Sequence, residues 1–327
     1  MKIIHLPSYD INPYQRNLAD AQIQLGHEVL LGGGGGNFFR TALFKWKADV
    51  LHFHWLHPYL LKKSKLGSVI RATRFLIEVL ILKVSGYSIV WTIHNLQNHS
   101  NVHIGIERFF TVLFCRLCNE RIAHTSEAAR LAEDRFHLKK DTVTVIPHPS
   151  YVGLYPDNVS RDKAREILNL RDEDKVFLFL GRINRYKGIF DLIEAFESLD
   201  TNATLVIAGV PEDEESQQKL LEYGASNDRV ILRLERVNDD ELQTFFRGSD
   251  VAVFPYKQIL TSGAMILAMS FGISIIAPNV SSIRETIGEE GALFYTMNNI
   301  GSLTEAMRKS MEIDTEAMGL TNYRIAS

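Results

Sequence analysis

The chain has 327 residues, 46% apolar and 23% charged, with 21 Gly, 9 Pro and 2 Cys, the make-up of a soluble globular protein long enough for about two domains. Two cysteines cannot staple it, the opening MKIIHLPSYD lacks the apolar core of a secretory signal, and no stretch reaches the ~18–20 uncharged residues of a spanning helix, so a cytoplasmic setting is expected. The formal charge of −3 hides a split: residues 1–155 carry 18 Lys and Arg against 11 Asp and Glu, residues 156–327 carry 18 against 28, and all 11 His precede residue 149. Halves of such different charge face different partners, the basic one something anionic, although no basic run interleaved with aromatics marks a nucleic-acid site.

Short β-branched runs alternate with amphipathic segments of helix length, the pattern of parallel α/β sheets. In the first half strands are predicted at KIIHL (2–6), EVLLG (28–32), VLHFHW (50–55), SIVWTIH (88–94), RIAHT (121–125) and TVTVI (142–146), with helices at 14–25, 58–85, 106–118 and 127–136. The segment 147–160 holds three of the nine prolines and has no period. It divides a Rossmann-like domain, 1–148, from a second one, 161–327, with 149–160 as linker.

In the second half strands are predicted at 175–181, 204–209, 230–234, 251–256, 274–278 and 292–296, and helices at 161–170, 187–199, 212–223, 239–247, 263–271, 282–287 and 302–311. Two doubly wound domains in tandem place ligands at the carboxyl ends of their strands, in a central cleft.

The strand ending at Gly181 runs into Arg182-Ile183-Asn184-Arg185-Tyr186-Lys187-Gly188 and then a helix. A guanidinium that grips phosphate oxygens in pairs, an ammonium point charge and helix amides suit a diphosphate; a solvated loop is the plain alternative. Here the sequence resembles the GT-B glycosyltransferases, the family 4-like group in particular, whose second domain carries a Gly-Arg…Lys-Gly run after its first strand. The resemblance extends through LGHEVLLGG, SIVWTIHN, RIAHTSEAARLAEDRF and VTVIPHPS to LVIAGVPEDEE, RVILRLERVNDDELQTFFRGSDVAVFPY and SFGISIIAPNVSSIRETIG. It implies two Rossmann-like domains, an N-terminal one for the acceptor and a C-terminal one for a nucleotide sugar, UDP- or GDP-linked, with neither cofactor nor metal.

One departure stands out. The resemblance places two glutamates eight positions apart near the donor sugar, and this sequence has Ile259 and Leu267 there. Thr261-Ser262-Gly263 opens the apolar helix instead, as a cap or as hydroxyl and amide donors to a diphosphate or sugar. Gly181, Arg182, Lys187, Tyr256, Thr261, Ser262 and Gly263 are therefore the donor-binding candidates. On the acceptor side the first βα loop has Asn12-Pro13-Tyr14 where many relatives have Gly-Gly, and Asn12, Tyr14, His99 and His103 are the acceptor-binding candidates. His94 ends its strand where the resemblance implies a histidine beside the donor, as a contact to the sugar or as the base; Asp10 is the only carboxylate of its loop. With the glutamates missing, the expected route is one in-line displacement with His94 or Asp10 as base, giving an inverted product.

His52 and His54 share a strand face, as two metal ligands would, yet no acidic residue adjoins them and no metal is assigned. Cys115 and Cys118 read as ordinary thiols. Residues 60–84 combine six cations with one acid and many apolar residues, a make-up suited to an anionic membrane surface, to a core helix, or to both. Beyond residue 311 no further element is expected, where relatives continue into a helix that crosses back. The reading is a glycosyltransferase moving a hexose to a saccharide acceptor, polyprenyl-linked, in surface polysaccharide assembly at the inner face of the membrane. A non-catalytic nucleotide-sugar-binding subunit is the alternative, and a sugar-nucleotide epimerase a third class.

Overall fold

In the computed structural model the described residues are 1–9, 12–33, 38–98, 102–199 and 202–327. They form two compact units, Met1–Pro149 and Ser150–Ser327. Each is built on a six-stranded parallel sheet.

The first unit runs β1 (Lys2–Ser8), α1 (Pro13–Gln24), β2 (Glu28–Gly33), α2 (Phe38–Arg40), a wide-turned π-helix (Thr41–Trp46), β3 (Val50–Phe53), α3 (His57–Leu60), α4 (Lys65–Val84), β4 (Ser88–Thr92), α5 (Ile104–Leu117), β5 (Glu120–Ala123), α6 (Ser126–Phe136) and β6 (Thr144–Val145). Its strands lie in the order β2-β1-β3-β4-β5-β6. Strands covered on both faces read as nearly continuous apolar runs, and the two-residue period decides what each face meets. In β3, Leu51 and Phe53 are buried, and Phe53 packs with Phe75 of α4 and Phe114 of α5. His52 takes the opposite face, where it pairs in register with His5 of β1.

Residues 58–85 are not one helix. Leu61 is extended, and Ser64 caps a new helix by accepting the Gly67 amide at 3.1 Å. Such a cap satisfies an otherwise orphaned first-turn donor, so the short α3 precedes a twenty-residue α4.

The second unit runs α7 (Arg161–Ile167), β7 (Lys175–Leu180), a 3₁₀ turn (Arg185–Lys187), α8 (Ile189–Glu197), β8 (Ala203–Ala208), α9 (Glu214–Ser226), β9 (Val230–Arg233), α10 (Leu242–Gly248), β10 (Val251–Val253), α11 (Gly263–Ser270), β11 (Ser274–Pro278), α12 (Ser281–Ile287), β12 (Ala292–Tyr295), α13 (Ile300–Ser310) and α14 (Thr315–Ala326). The order β12-β11-β10-β7-β8-β9 means that the chain leaves β7 in one direction and returns to β10 on its other side. The loops after β7 and β10 thus diverge at a switch point, where open α/β sheets bind ligands. At the opposite end of these strands Asp250 accepts from Arg165 at 3.0 Å, Arg161 at 2.7 Å and the Val176 amide at 2.7 Å, tying α7 to the amino ends of β7 and β10.

Residues 150–160 belong to this unit. Tyr151 lies in its core, and Gln243 accepts from the amides of Asn158 and Val159. The chain after residue 311 also has structure, contrary to expectation. Asp314 caps α14, and Asn322 donates to Ile273 O and Gly291 O at 2.9 and 2.8 Å. Close packing rather than an apolar stripe holds α14: a Cβ on Gly319 would come within 2.1 Å of Gly272 O.

Candidate functional site

The two loops of the second unit's switch point are stitched together. The Lys257 amide donates to Tyr186 O at 2.8 Å, and the Lys257 ammonium pairs with Asp191 at 2.7 Å. Gly188 follows the 3₁₀ turn at φ +68°, and a Cβ there would sit 1.9 Å from Pro255 O, so only glycine permits the approach. Gly209, at φ +140°, lies as close to Gly181 O, at 2.0 Å.

These contacts fold Lys187 inward. Its ammonium lies 5.6 Å from the centre of the Tyr256 ring, and a Cβ on Gly181 would meet it at 3.2 Å. Burial lowers its pKa, with Arg182 adding a smaller push in the same direction against the opposing effect of Tyr186. Among the described residues no carboxylate pairs with Lys187 or with the exposed Arg182. Arg185 is instead engaged with Asp213 and Glu215 at 3.7 and 3.9 Å.

Across the loop pair, Ser262 caps α11 by accepting the Met265 amide at 3.3 Å and meets the Tyr256 hydroxyl at 3.3 Å. Among the described residues the first-turn amides of Gly263 and Ala264 have no hydrogen-bond partner. Tyr256 is buried, which pushes its phenol up to about 12 and keeps it a neutral donor. Asn184 Oδ1 is buried without a partner. Two cations that no carboxylate among the described residues meets and open first-turn amides of α11 lie on the loops at the carboxyl ends of β7 and β10, a combination of groups that suits an anion such as a diphosphate, while the Asn184 acceptor suits a hydroxyl. Gly181, Arg182, Lys187, Tyr256, Thr261, Ser262 and Gly263 all lie on these two loops. Ile259 and Leu267 pack against the apolar core of the unit.

In the first unit the corresponding switch point separates β1 from β3, and histidines crowd it. His54, His94, His124 and His148 are packed around the ring of Tyr14, which lies 4.8 Å from His94 and 5.0 to 5.6 Å from the other three, and His5 and His52 lie against His54 and each other. Trp55 stacks on His94 at 4.7 Å. His5 bonds Gln22 Oε1 at 2.8 Å and His54 at 2.8 Å, and His54 bonds His94 at 3.2 Å. The nitrogens of His5, His52 and His54 lie within 4.8 Å of one another, as metal ligands can, but both ring nitrogens of His5 and of His54 are taken up in this hydrogen-bonded chain, and His52 Nε2 bonds Thr92 Oγ1 at 2.8 Å.

The acceptor-side candidates separate. Asn12 is the cap of α1, its Oδ1 accepting the Tyr14 amide at 3.0 Å. Tyr14 is buried, with its phenol bonded to Thr92 and pushed up to about 12. His103 bonds Lys63 O at 3.1 Å. Asp10 and His99 lie outside the described residues. His94 sits two residues past the end of β4, beside His54. Cys115 and Cys118 are buried free thiols.

The family model for glycosyl transferases group 1 matches residues 160–324, the stretch that carries the loops after β7 and β10. The chain belongs to this family. As a group 1 glycosyltransferase it draws on a nucleotide sugar. Among its relatives, the GDP-mannose:glycolipid 4-beta-D-mannosyltransferase of Xanthomonas campestris pv. campestris is 25% identical over 299 residues, covering 88% of this chain and 77% of that protein. The fold matches sucrose-phosphate synthase from Thermosynechococcus elongatus at a TM-score of 0.77 with 16% identity, over 99% of this chain and 93% of that one. It matches Anabaena Alr3699/HepE in complex with UDP-glucose at 0.75 with 16% identity, over 100% and 94%.

The histidines of this glycosyltransferase make its first unit sensitive to acid. Burial lowers the pKa of His5, His52, His54, His94, His124 and His148, His148 to about 4, from an ordinary 6.5. The unfolded chain binds these protons below about pH 6.5 while the folded one excludes them, so stability is full above that value and falls as pH drops toward 4, by up to about 1.4 kcal/mol per pH unit for each histidine. All three tryptophans, Trp46, Trp55 and Trp91, lie in this unit. The urea midpoint read by tryptophan fluorescence is expected to fall clearly between pH 7.5 and 5.5, and an unchanged midpoint would contradict the burial of neutral histidines.

Proposed function

We propose that this chain transfers a hexose from a UDP- or GDP-linked sugar to a saccharide acceptor carried on a polyprenyl diphosphate, in surface polysaccharide or glycolipid assembly. The observation that carries the reading is the inward Lys187 ammonium beside an unpaired Arg182 and the open amides of α11. A cation withdrawn from water without a carboxylate is costly unless an anion completes it. Lys187 and Arg182 offset the diphosphate charge, and Tyr256, Ser262 and Thr261 add neutral donors. This supports a leaving group stabilised without a metal ion.

His94 is the proposed base. It takes the proton of the attacking hydroxyl, the new C–O bond forms at the anomeric carbon, and the bond to the nucleoside diphosphate breaks with its electron pair on the phosphate. Ile259 and Leu267 offer no carboxylate to the far side of the sugar, which favours one displacement and inversion. The Xanthomonas relative's printed product, a beta-D-mannoside, is what inversion of an α-linked sugar nucleotide gives.

The first unit provides the surface for a lipid-linked acceptor. Leu66, Ile70, Ile77, Leu80, Ile81 and Val84 form an exposed apolar stripe along α4, flanked by Lys63, Lys65, Arg71 and Arg74. Burying the apolar stripe at a headgroup layer while the cations meet anionic lipid suits peripheral attachment at the cytoplasmic face of the membrane. No helix among the described residues is long and apolar enough to cross a membrane. A non-catalytic nucleotide-sugar subunit would need the same donor loops but not a base.

Incubation with labelled UDP- and GDP-sugars and a polyprenyl-diphosphate saccharide is the test. The expected product has inverted anomeric configuration by NMR, forms equally well with a chelator present, and is lost in His94→Ala. Arg182→Ala should weaken nucleoside diphosphate binding by about 1.5–3 kcal/mol. No transfer with any donor, despite tight nucleotide binding, would favour the non-catalytic subunit. For the membrane surface, binding to anionic vesicles is expected to exceed binding to neutral ones, to fall as salt rises and to fall further in Ile70→Asp; equal partitioning to both vesicle types would remove this assignment.

A further inference from the structure

The hydrogen bonds of the first unit have a direction. A neutral imidazole has one N–H and one lone pair. Gln22 Oε1 accepts, so His5 carries its hydrogen on Nε2 and its lone pair on Nδ1. His54 Nε2, 2.8 Å away, must then donate to His5 Nδ1, which leaves His54 Nδ1 to accept from His94 Nε2 at 3.2 Å. Each bond fixes the next. The last ring is left with its lone pair on Nδ1.

We propose that Gln22, His5 and His54 are positioning residues that lock His94 in the Nε2–H tautomer, so that Nδ1 receives the acceptor's hydroxyl proton, and that the three rings share the charge so formed. This rests on the reading of His94 as base. The structure around the chain suits the role. His52, held by Thr92, stacks on His54 at 4.4 Å, and Trp55 stacks on His94, so neither ring is free to flip. Among the described residues the groups facing the chain are Tyr14 from α1, His52 and Trp55 from β3 and the residues after it, His124 after β5, and His148, none of them a carboxylate.

An aspartate is the usual partner of a histidine base, because its charge stabilises the imidazolium. Here the partner is a second histidine. When His94 gains a proton on Nδ1 it can pass the one on Nε2 to His54 Nδ1, and His54 can pass its own Nε2 proton to His5 Nδ1. Transfer stops there, since the amide oxygen of Gln22 does not accept a proton at neutral pH. One positive charge is thereby shared among three buried rings, and when the protons run back along the chain, loss of the one on His94 Nδ1 to solvent restores the resting tautomers. Burial keeps all three rings neutral at rest.

The direct test is 15N NMR of the full chain with labelled histidine, which distinguishes the two tautomers. His5, His54 and His94 are expected in the Nε2–H form at neutral pH, and His94 found as Nδ1–H would overturn the proposal. In activity, Gln22→Glu places a fixed acceptor and a negative charge at the end of the chain. It should move the acidic limb of the kcat/KM pH profile upward by about one unit. His54→Phe should lower kcat about 10–100-fold with donor KM unchanged, and His54→Gln, which can still accept from His94 and donate to His5, should recover part of that loss. An unmoved limb in Gln22→Glu, or full activity in His54→Phe, sinks the relay and leaves His94 as base. Full activity in His94→Ala sinks the base reading itself.

Discussion

A partly buried ammonium that no carboxylate among the described residues meets is the constraint around which the second unit's two loops are arranged. Lys187 is held there by backbone approaches that exclude a Cβ at Gly188 and Gly209, and by the bond from the Lys257 amide to Tyr186 O. Such a group costs stability in the free protein, and on the proposed function the diphosphate of the donor offsets that cost. Sheet order explains why it stands where it does. β7 and β10 are neighbours from which the chain departs in opposite directions, so their loops part and leave room for a ligand. The Asp250 network at the other end of the same strands fixes the pair without intruding on the site.

The first unit solves a different problem with the same fold. It has an excess of cations in sequence, yet its switch point is lined by neutral rings rather than by charge. Burial that keeps histidines unprotonated also keeps a lone pair available, which is what a base at neutral pH requires. The cations lie elsewhere, at the start of α4 and along it, beside an apolar stripe exposed to water. The places proposed for anion binding, proton acceptance and surface attachment are thus separate, each with its own electrostatics.

Much of this was legible from residue order. Strands such as β7, β8 and β11 announce themselves as apolar runs, and the loop from Gly181 to Gly188 has the composition of a phosphate site. The pairing of His52 with His54 on one face followed from the two-residue period. What escaped depends on contacts distant in sequence. His5 sits inside an apolar run and acquires a role only because β1 pairs with β3 in a register that sets it against His52. Gln22 matters only because α1 crosses that face. The break before Ser64 was hidden by an unbroken helical composition, and α14 by Gly319, which weakens a helix by propensity but permits its close packing. Asn12 and His103, read as acceptor-binding candidates, also serve as a helix cap and a loop tie, roles that only contacts in the folded chain reveal.

The most direct test of the account replaces Lys187 by methionine, similar in length and without charge. Calorimetric unfolding of the full chain would be recorded with and without saturating GDP or UDP. If the ammonium is held at a cost for the sake of a diphosphate, Lys187→Met unfolds at the same or a higher temperature than the parent when unliganded, and the nucleotide no longer raises it. A variant that unfolds earlier and is still stabilised by the nucleotide as the parent is would contradict the account.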